Sequence, residues 1–220
     1  MGKNKKKKSS ILELLFYVVL AIIISVLIRA FVFQPFYIPS GSMENTLKIN
    51  DTIAVNKLST RFSNINRGDI VVFKDPGNWV SSAHAGASSN GWFESILYKV
   101  NLGYAPNDVF LIKRAIAIGG DTVECKGKGH PILVNGVPIK EEYLKESVAS
   151  STSFKVKVPK NRIWVMGDNR NNSGDSRYHQ DNGYSGTVSV DNIVGKAFAV
   201  MWPISRMQIL YGTDAFNKVS

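Results

Sequence analysis

From residue 14 to residue 28 every position is apolar or aromatic except Ser25, and widening the window to 11–33 admits only Glu13 and Arg29 as charges. Coiled as a helix, that wider window spans roughly 34 Å, enough to cross a hydrocarbon core of about 30 Å. Lys3, Lys5, Lys6, Lys7 and Lys8 precede the run, so residues 1–10 form a basic tail. The positive-inside rule then puts the N-terminus in the cytoplasm and residues 34–220 outside it. A cleaved secretory signal shares the basic-then-apolar order, but Arg29-Ala30-Phe31-Val32-Phe33 offers no small-x-small cleavage site. The pattern predicts a retained transmembrane anchor over 11–33, with Pro35 stopping the helix.

After the anchor the period changes from helical to strand-like. Residues 47–58 carry Ile49, Ile53 and Val55 among polar residues, a short strand pattern, and Arg67-Gly68-Asp69 turns into the continuous apolar run Ile70-Val71-Val72-Phe73, a buried-strand signal. Strand patterns recur over 109–118, 122–124, 154–158, 163–166 and 194–202, the last closed by Pro203. Asn135-Gly136 between two short apolar runs predicts a two-residue hairpin. Many short strands without a βαβ rhythm predict a mainly β catalytic domain over 34–220, with a small β insertion over about 122–162. Residues 77–107 form a second insertion. Its first part is a Ser/Ala/Gly-rich loop, and then Trp92, Phe93, Ile96, Leu97 and Val100 share one helical face. That face either packs on the protein's own core or dips into the membrane surface. The polar segment 141–152 is expected to be exposed.

The net charge of +10 suggests nucleic acid until it is located. Half of it sits in the N-terminal lysines, and the remainder forms no basic stripe, which excludes a nucleic-acid surface. Cys125 is the single cysteine, so no intrachain disulfide forms, and it reads as a small packed hydrophobe. No Cys/His spacing suggests a metal site, and no cofactor motif is present.

Three stretches carry candidate chemistry. Just after the anchor, Ile38-Pro39-Ser40-Gly41-Ser42-Met43 sets two hydroxyls beside a proline and a glycine, suited to a sharp turn that presents a serine. No Gly-x-Ser-x-Gly elbow and no Ser-x-x-Lys occur in the chain. His84, His130 and His179 all fall in polar loops and read as solvated residues, so a base for such a serine is sought among the lysines. The second stretch is Leu111-Ile112-Lys113-Arg114-Ala115-Ile116-Ala117-Ile118. Strand alternation groups Lys113 with Leu111, Ala115 and Ala117, and Arg114 with Ile112, Ile116 and Ile118, so a cation must lie on an apolar face. Arginine keeps its proton, whereas a desolvated lysine can lose it. At a pKa near 10.4 about 1 lysine in 2,500 is neutral at pH 7; lowering it to about 8 makes that roughly one in eleven. The third stretch runs from Gly167 to Arg177. Its two acids, two arginines and two serines can build an ion-pair network that orients an amine, and the arginines disfavour a calcium loop.

Taken in order behind an N-terminal anchor, these stretches resemble bacterial type I signal peptidases, the Ser/Lys endopeptidases that remove secretory signal sequences. Pro39-Ser40-Gly41-Ser42-Met43 is similar to the nucleophile motif, Arg67-Gly68-Asp69-Ile70-Val71 to a structural strand motif, Ile112-Lys113-Arg114 to the lysine motif and 167–177 to the final loop motif. The resemblance implies Ser42 as nucleophile and Lys113 as general base, with the Ser42 amide and Ser40 hydroxyl as oxyanion hole. It implies that Ser173 bonds the lysine amine and that Asp175 and Arg177 brace the site. It also implies a mainly β fold, cleavage after small residues at −1 and −3, and a place in the bacterial cytoplasmic membrane. Secretory preproteins, the bilayer and the export machinery are the implied partners. Asn45 and Gly119 stand where the family usually has prolines, which predicts a looser turn at each, and Asn171 stands where an aspartate is common. A self-processing or regulatory Ser/Lys protease and an inert anchored adaptor are the alternatives.

Overall fold

The structure is a computed structural model and describes residues 3–58, 64–77, 79, 108–181 and 183–219. The aromatic face predicted over 92–100 and His84 lie outside the described residues. The first element is helix α1 (Lys3–Phe31). Within it Ser10–Leu27 has a mean hydropathy of 2.7 and buries none of its length against the rest of the chain. An apolar helix left uncovered by protein is suited to hydrocarbon, where its backbone satisfies its own hydrogen bonds. The helix ends before Pro35 is reached, and Pro35 instead sits in strand β1 (Phe33–Tyr37), opposite Ala54 of β2 (Thr52–Asn56). β1 is an edge strand, where a missing N–H leaves no ladder bond unmade.

The remaining strands are β3 (Ile70–Lys74), β4 (Phe110–Ile118), β5 (Thr122–Lys126), β6 (Leu133–Val134), β7 (Val137–Pro138), β8 (Ser153–Lys157), β9 (Arg162–Met166), β10 (Val188–Ser189), β11 (Ile193–Trp202) and β12 (Gln208–Ile209). The main sheet runs β1-β2-β11-β3-β4-β9-β10, antiparallel throughout. β11 pairs with β2 along one side; along the other it meets β3 over its first half and β12 over its second. A smaller antiparallel sheet, β7-β6-β5-β8, carries the Asn135-Gly136 hairpin, whose two residues both take positive φ (52° and 79°).

Both faces of the main sheet are covered, which is why Ile70-Val71-Val72-Phe73 reads as an unbroken apolar run. Val71, Phe73, Ala115, Ile163 and Val165 pack on one face. On the other, Ile70, Val72 and Ile112 pack with Phe36, Ile38, Met43 and Leu47, while Trp164 and Met166 meet Val123, Phe154 and Val156 of the small sheet. Cys125 is buried in this last cluster. The strict alternation expected along β4 breaks at Ala115–Ala117, where the register to β9 shifts, so Ala117 joins the same core as Ile116.

Two sequence expectations fail here. Residues 141–150 are not exposed throughout: Glu141 pairs with buried Arg170, the Tyr143 ring lies against Arg114, and Ala149 and Ser150 are buried, while Glu142, Lys145, Glu146 and Ser147 are exposed. Polar composition misled because the partners of these polar groups are themselves buried. His179 is not a solvated loop residue either; it stacks on Trp79 at 4.5 Å between ring centroids, and burial lowers its pKa from the usual imidazole value.

Gly195 in β11 lies so close to β2 that a Cβ would sit 2.4 Å from the Asn56 carbonyl oxygen. Gly195→Ala is therefore expected to destabilise the fold by about 1–3 kcal/mol, read as a lowered thermal midpoint in detergent.

Candidate active site

The main sheet opens where β9 ends. Arg114 pairs with Met166, the last residue of β9, so the next rung would set Lys113 opposite Gly167. There the chain peels away into the 167–177 loop, and the turn bearing Ser42 fills the space. That turn is a short 3-10 segment, Gly41–Met43, anchored by Met43 and Leu47 in the core. The Lys113 amine lies 2.8 Å from Ser42 Oγ and donates to the Ile112 carbonyl at 3.0 Å. Ser40 Oγ is 3.5 Å from Ser42 Oγ.

Lys113 is only 4% exposed. Burial lowers its pKa from 10.5 to about 8, partly opposed by the negative charges of Asp175 and Asp168. The neighbouring cation has the opposite fate. Arg114 Nε and Nη2 reach the two Asp168 carboxylate oxygens at 2.9 and 2.6 Å, its Nη1 donates to the Gly68 carbonyl, and its guanidinium stacks 4.0 Å from the Tyr143 ring centroid. Burial alone would lower the Arg114 pKa, and the Asp168 pair more than offsets it. Of two adjacent buried cations, the fold gives the arginine a carboxylate partner and the lysine a hydroxyl and a carbonyl.

The 167–177 loop is held as a rigid wall. At Gly167 a Cβ would come within 2.4 Å of the Ser42 carbonyl and 2.3 Å of Ser173 Oγ, so only glycine permits this approach. Asp175 accepts from the Gly167 amide at 3.0 Å and from Arg177 Nε at 2.8 Å. Arg177 Nη2 in turn donates to the Arg170 carbonyl at 2.7 Å. Arg170 is itself almost fully buried; it pairs with Glu141 and donates to the carbonyls of Gly167 and Ala149. Ser173 sits in the wall with its hydroxyl buried and, among the described residues, without a hydrogen-bond partner, and thus does not bond the Lys113 amine.

Asn169, Glu141 and Thr46 are structural members of the site that sequence reasoning did not single out, and Asp168 and Arg170 entered it only as members of the 167–177 ion-pair network. Asn169, Asp168 and Arg170 lie inside the loop motif, but their partners are remote in sequence. Thr46 Oγ1, for example, donates to Asp168 Oδ2 at 2.5 Å across 122 positions. Asn45 does not loosen its turn. It adopts φ 89°, a region closed to proline, and its side chain donates to the carbonyls of Tyr143 and Leu144, both at 3.2 Å. Gly119 has a packing reason as well: a Cβ there would sit 3.0 Å from the Pro159 carbonyl. Among the described residues no group of three His, Cys, Asp or Glu is placed to hold a metal ion.

A serine hydroxyl within hydrogen-bond distance of a desolvated lysine, at the open end of a β-sheet in a chain with an uncovered apolar helix, has the parts that nucleophilic catalysis requires. The sequence model of the family described as "Signal peptidase, peptidase S26" matches residues 11–202, and the chain belongs to that family. A probable signal peptidase I of Mycobacterium leprae (strain TN) is 40% identical over 91% of this chain and 79% of its own length. Signal peptidase I of Mycobacterium tuberculosis (strain ATCC 25618 / H37Rv) is 37% identical over 93% of this chain and 76% of its own. Signal peptidase I P of Bacillus subtilis subsp. natto is 35% identical over 94% of this chain and 98% of its own.

Two outcomes follow from the geometry. Because the folded protein disfavours the Lys113 charge, stability rises with pH between about 8 and 10.5, where the unfolded chain still holds the proton and the folded one does not. At pH 7 the buried charge costs roughly 3 kcal/mol. Lys113→Met is thus expected to raise the thermal midpoint at pH 7 and to abolish the gain between pH 8 and 10.5, as measured by unfolding across that range. Asn45→Pro, although it restores a residue usual in the family, forces φ away from 89° and removes both Asn45 hydrogen bonds. It should destabilise the fold by about 2–4 kcal/mol, and a thermal midpoint at or above wild type would contradict this reading of the turn.

Proposed function

We propose that this chain cleaves signal peptides from exported preproteins, with Ser42 as nucleophile and Lys113 as general base. The observation that carries the reading is the 2.8 Å contact between Ser42 Oγ and an amine whose pKa burial brings to about 8. With one N–H on the Ile112 carbonyl, the neutral amine can turn its lone pair to the Ser42 hydroxyl and take its proton as Oγ attacks the scissile carbonyl carbon. The tetrahedral oxyanion is then met by the Ser42 amide and the Ser40 hydroxyl. Collapse expels the amine of the mature protein, which takes the proton from Lys113, and leaves an acyl-enzyme on Ser42. Lys113 next takes a proton from water as the water oxygen attacks the ester carbon; the bond to Ser42 Oγ then breaks, Lys113 returns the proton to Oγ, and the signal peptide leaves as a carboxylic acid. Asp175 and Arg177 keep the wall behind the amine fixed.

Cleavage after small residues at −1 and −3 is what the likeness to the signal peptidases implies. Ser42 lies shortly after the end of β1, itself two residues beyond α1, so the site stands near the point where a membrane-embedded signal sequence would emerge. The N-terminal lysines support a cytoplasmic tail and an extracytoplasmic catalytic domain in the bacterial cytoplasmic membrane.

The test is to incubate detergent-solubilised wild type, Ser42→Ala, Lys113→Met and Lys113→Arg with a preprotein and follow the mature product. Wild type should cleave, with a rate that climbs with pH through an ionisation near 8. Each variant should be slower by at least about 10³-fold. Full activity in Lys113→Arg, whose side chain stays protonated, would refute the lysine as base. Cleavage of the chain itself but of no preprotein would favour the self-processing alternative.

A further inference from the structure

The nucleophile turn is gripped from both sides by a single residue. Asn169 is 3% exposed and projects from the 167–177 loop. Its backbone N–H donates to the Ser42 carbonyl at 3.0 Å, and its side-chain amide donates to the Gly41 carbonyl at 2.9 Å. The same amide nitrogen reaches Glu44 Oε2 at 3.3 Å, and Glu44 is paired with Lys145. Both neighbours of that nitrogen accept hydrogen bonds, so the side chain is held with its NH2 group, and not its oxygen, towards the turn.

The Gly41 carbonyl belongs to the same peptide unit as the Ser42 N–H. That unit is planar and trans, so the carbonyl and the N–H point in opposite directions. Fixing the oxygen fixes the donor. The Gly41 carbonyl also accepts from the Glu44 N–H at 3.1 Å, but that bond lies within the same turn and moves with it. Asn169 alone among these contacts ties the peptide plane to the loop braced by Asp175, Arg177 and Arg170.

We propose that Asn169 is a positioning residue for the oxyanion hole: by holding the Gly41 carbonyl it aims the Ser42 N–H at the developing oxyanion, without itself touching substrate. This rests on Ser42 being the nucleophile. Loss of the side-chain donor lets the Gly41–Ser42 peptide tilt, and the transition state loses more than the bound substrate does.

The experiment uses the full chain in detergent. Asn169→Ala is compared with wild type in preprotein cleavage and in inhibition by a peptide aldehyde, which adds Ser42 Oγ to its carbonyl carbon and places an oxyanion in the hole. Expected are a fall in kcat of the order of 10²-fold, KM within about twofold, and aldehyde inhibition weakened by the same factor as kcat/KM. Binding of uncleaved peptide to Ser42→Ala should not change on adding Asn169→Ala. Asn169→Asp serves as the second variant if Asn169→Ala does not fold. It keeps the shape and the backbone donor but sets a carboxylate against two acceptors, and should lose kcat at least as far. Wild-type kcat in a folded variant overturns the proposal, as does a lower kcat with undiminished aldehyde affinity. The dyad reading fails separately: undiminished cleavage by Ser42→Ala refutes that, whereas an inactive Ser42→Ala beside a fully active Asn169→Ala refutes only the role of Asn169.

Discussion

The site depends on an unequal treatment of two adjacent cations. Lys113 and Arg114 are both buried, and an unpaired charge in such a place is costly. The fold answers differently for each. Arg114 receives the bidentate carboxylate of Asp168, a carbonyl and an aromatic face, and stays charged. Lys113 receives neutral partners, and its ammonium becomes the form that burial penalises. Were Asp168 within bonding reach of the lysine, the amine would be held protonated and useless as a base. The distribution of one carboxylate between two neighbours thus decides whether the sheet end can do chemistry.

Everything near that end serves to keep the distribution fixed. Arg170–Glu141 and Arg177–Asp175 are buried pairs that cross-brace the loop carrying Asp168 and Asn169. Buried ion pairs add little net stability relative to apolar packing, but they are unforgiving of partial removal, which suits them to setting geometry. Gly167 lets the loop approach Ser42, and Asn169 then bonds the carbonyls of Gly41 and Ser42. The segment 141–150, which looks solvent-loving, supplies Glu141 to Arg170, the Tyr143 ring beneath Arg114, and Lys145 to Glu44.

The departures from the family pattern at Asn45 and Gly119 also have local physical reasons. Asn45 replaces the stiffness of a proline ring with a left-handed backbone and two side-chain hydrogen bonds to the 143–144 carbonyls. Gly119 lets the turn between β4 and β5 close onto residues 159–161. In both places rigidity comes from a tertiary contact rather than from the residue itself.

The sequence by itself determined the long apolar N-terminal helix, most of the strands, the Asn135-Gly136 hairpin, the mainly β class and the family. These follow from periodicity, from turn chemistry and from motifs contiguous in the chain. It also narrowed the cations on an apolar face to Lys113 and Arg114. It did not reveal the short strands β1, β10 and β12, whose pairing comes from neighbours and not from their own pattern. Nor could it tell which buried cation would be paired, that Glu141 and Tyr143 would meet buried arginines, or that His179 would stack on Trp79. Those outcomes depend on partners tens of positions away, and local hydrophobicity carries no information about which distant carboxylate a buried charge will meet. Only the packed sheet brings Asp168 to Arg114 and leaves Lys113 to Ser42.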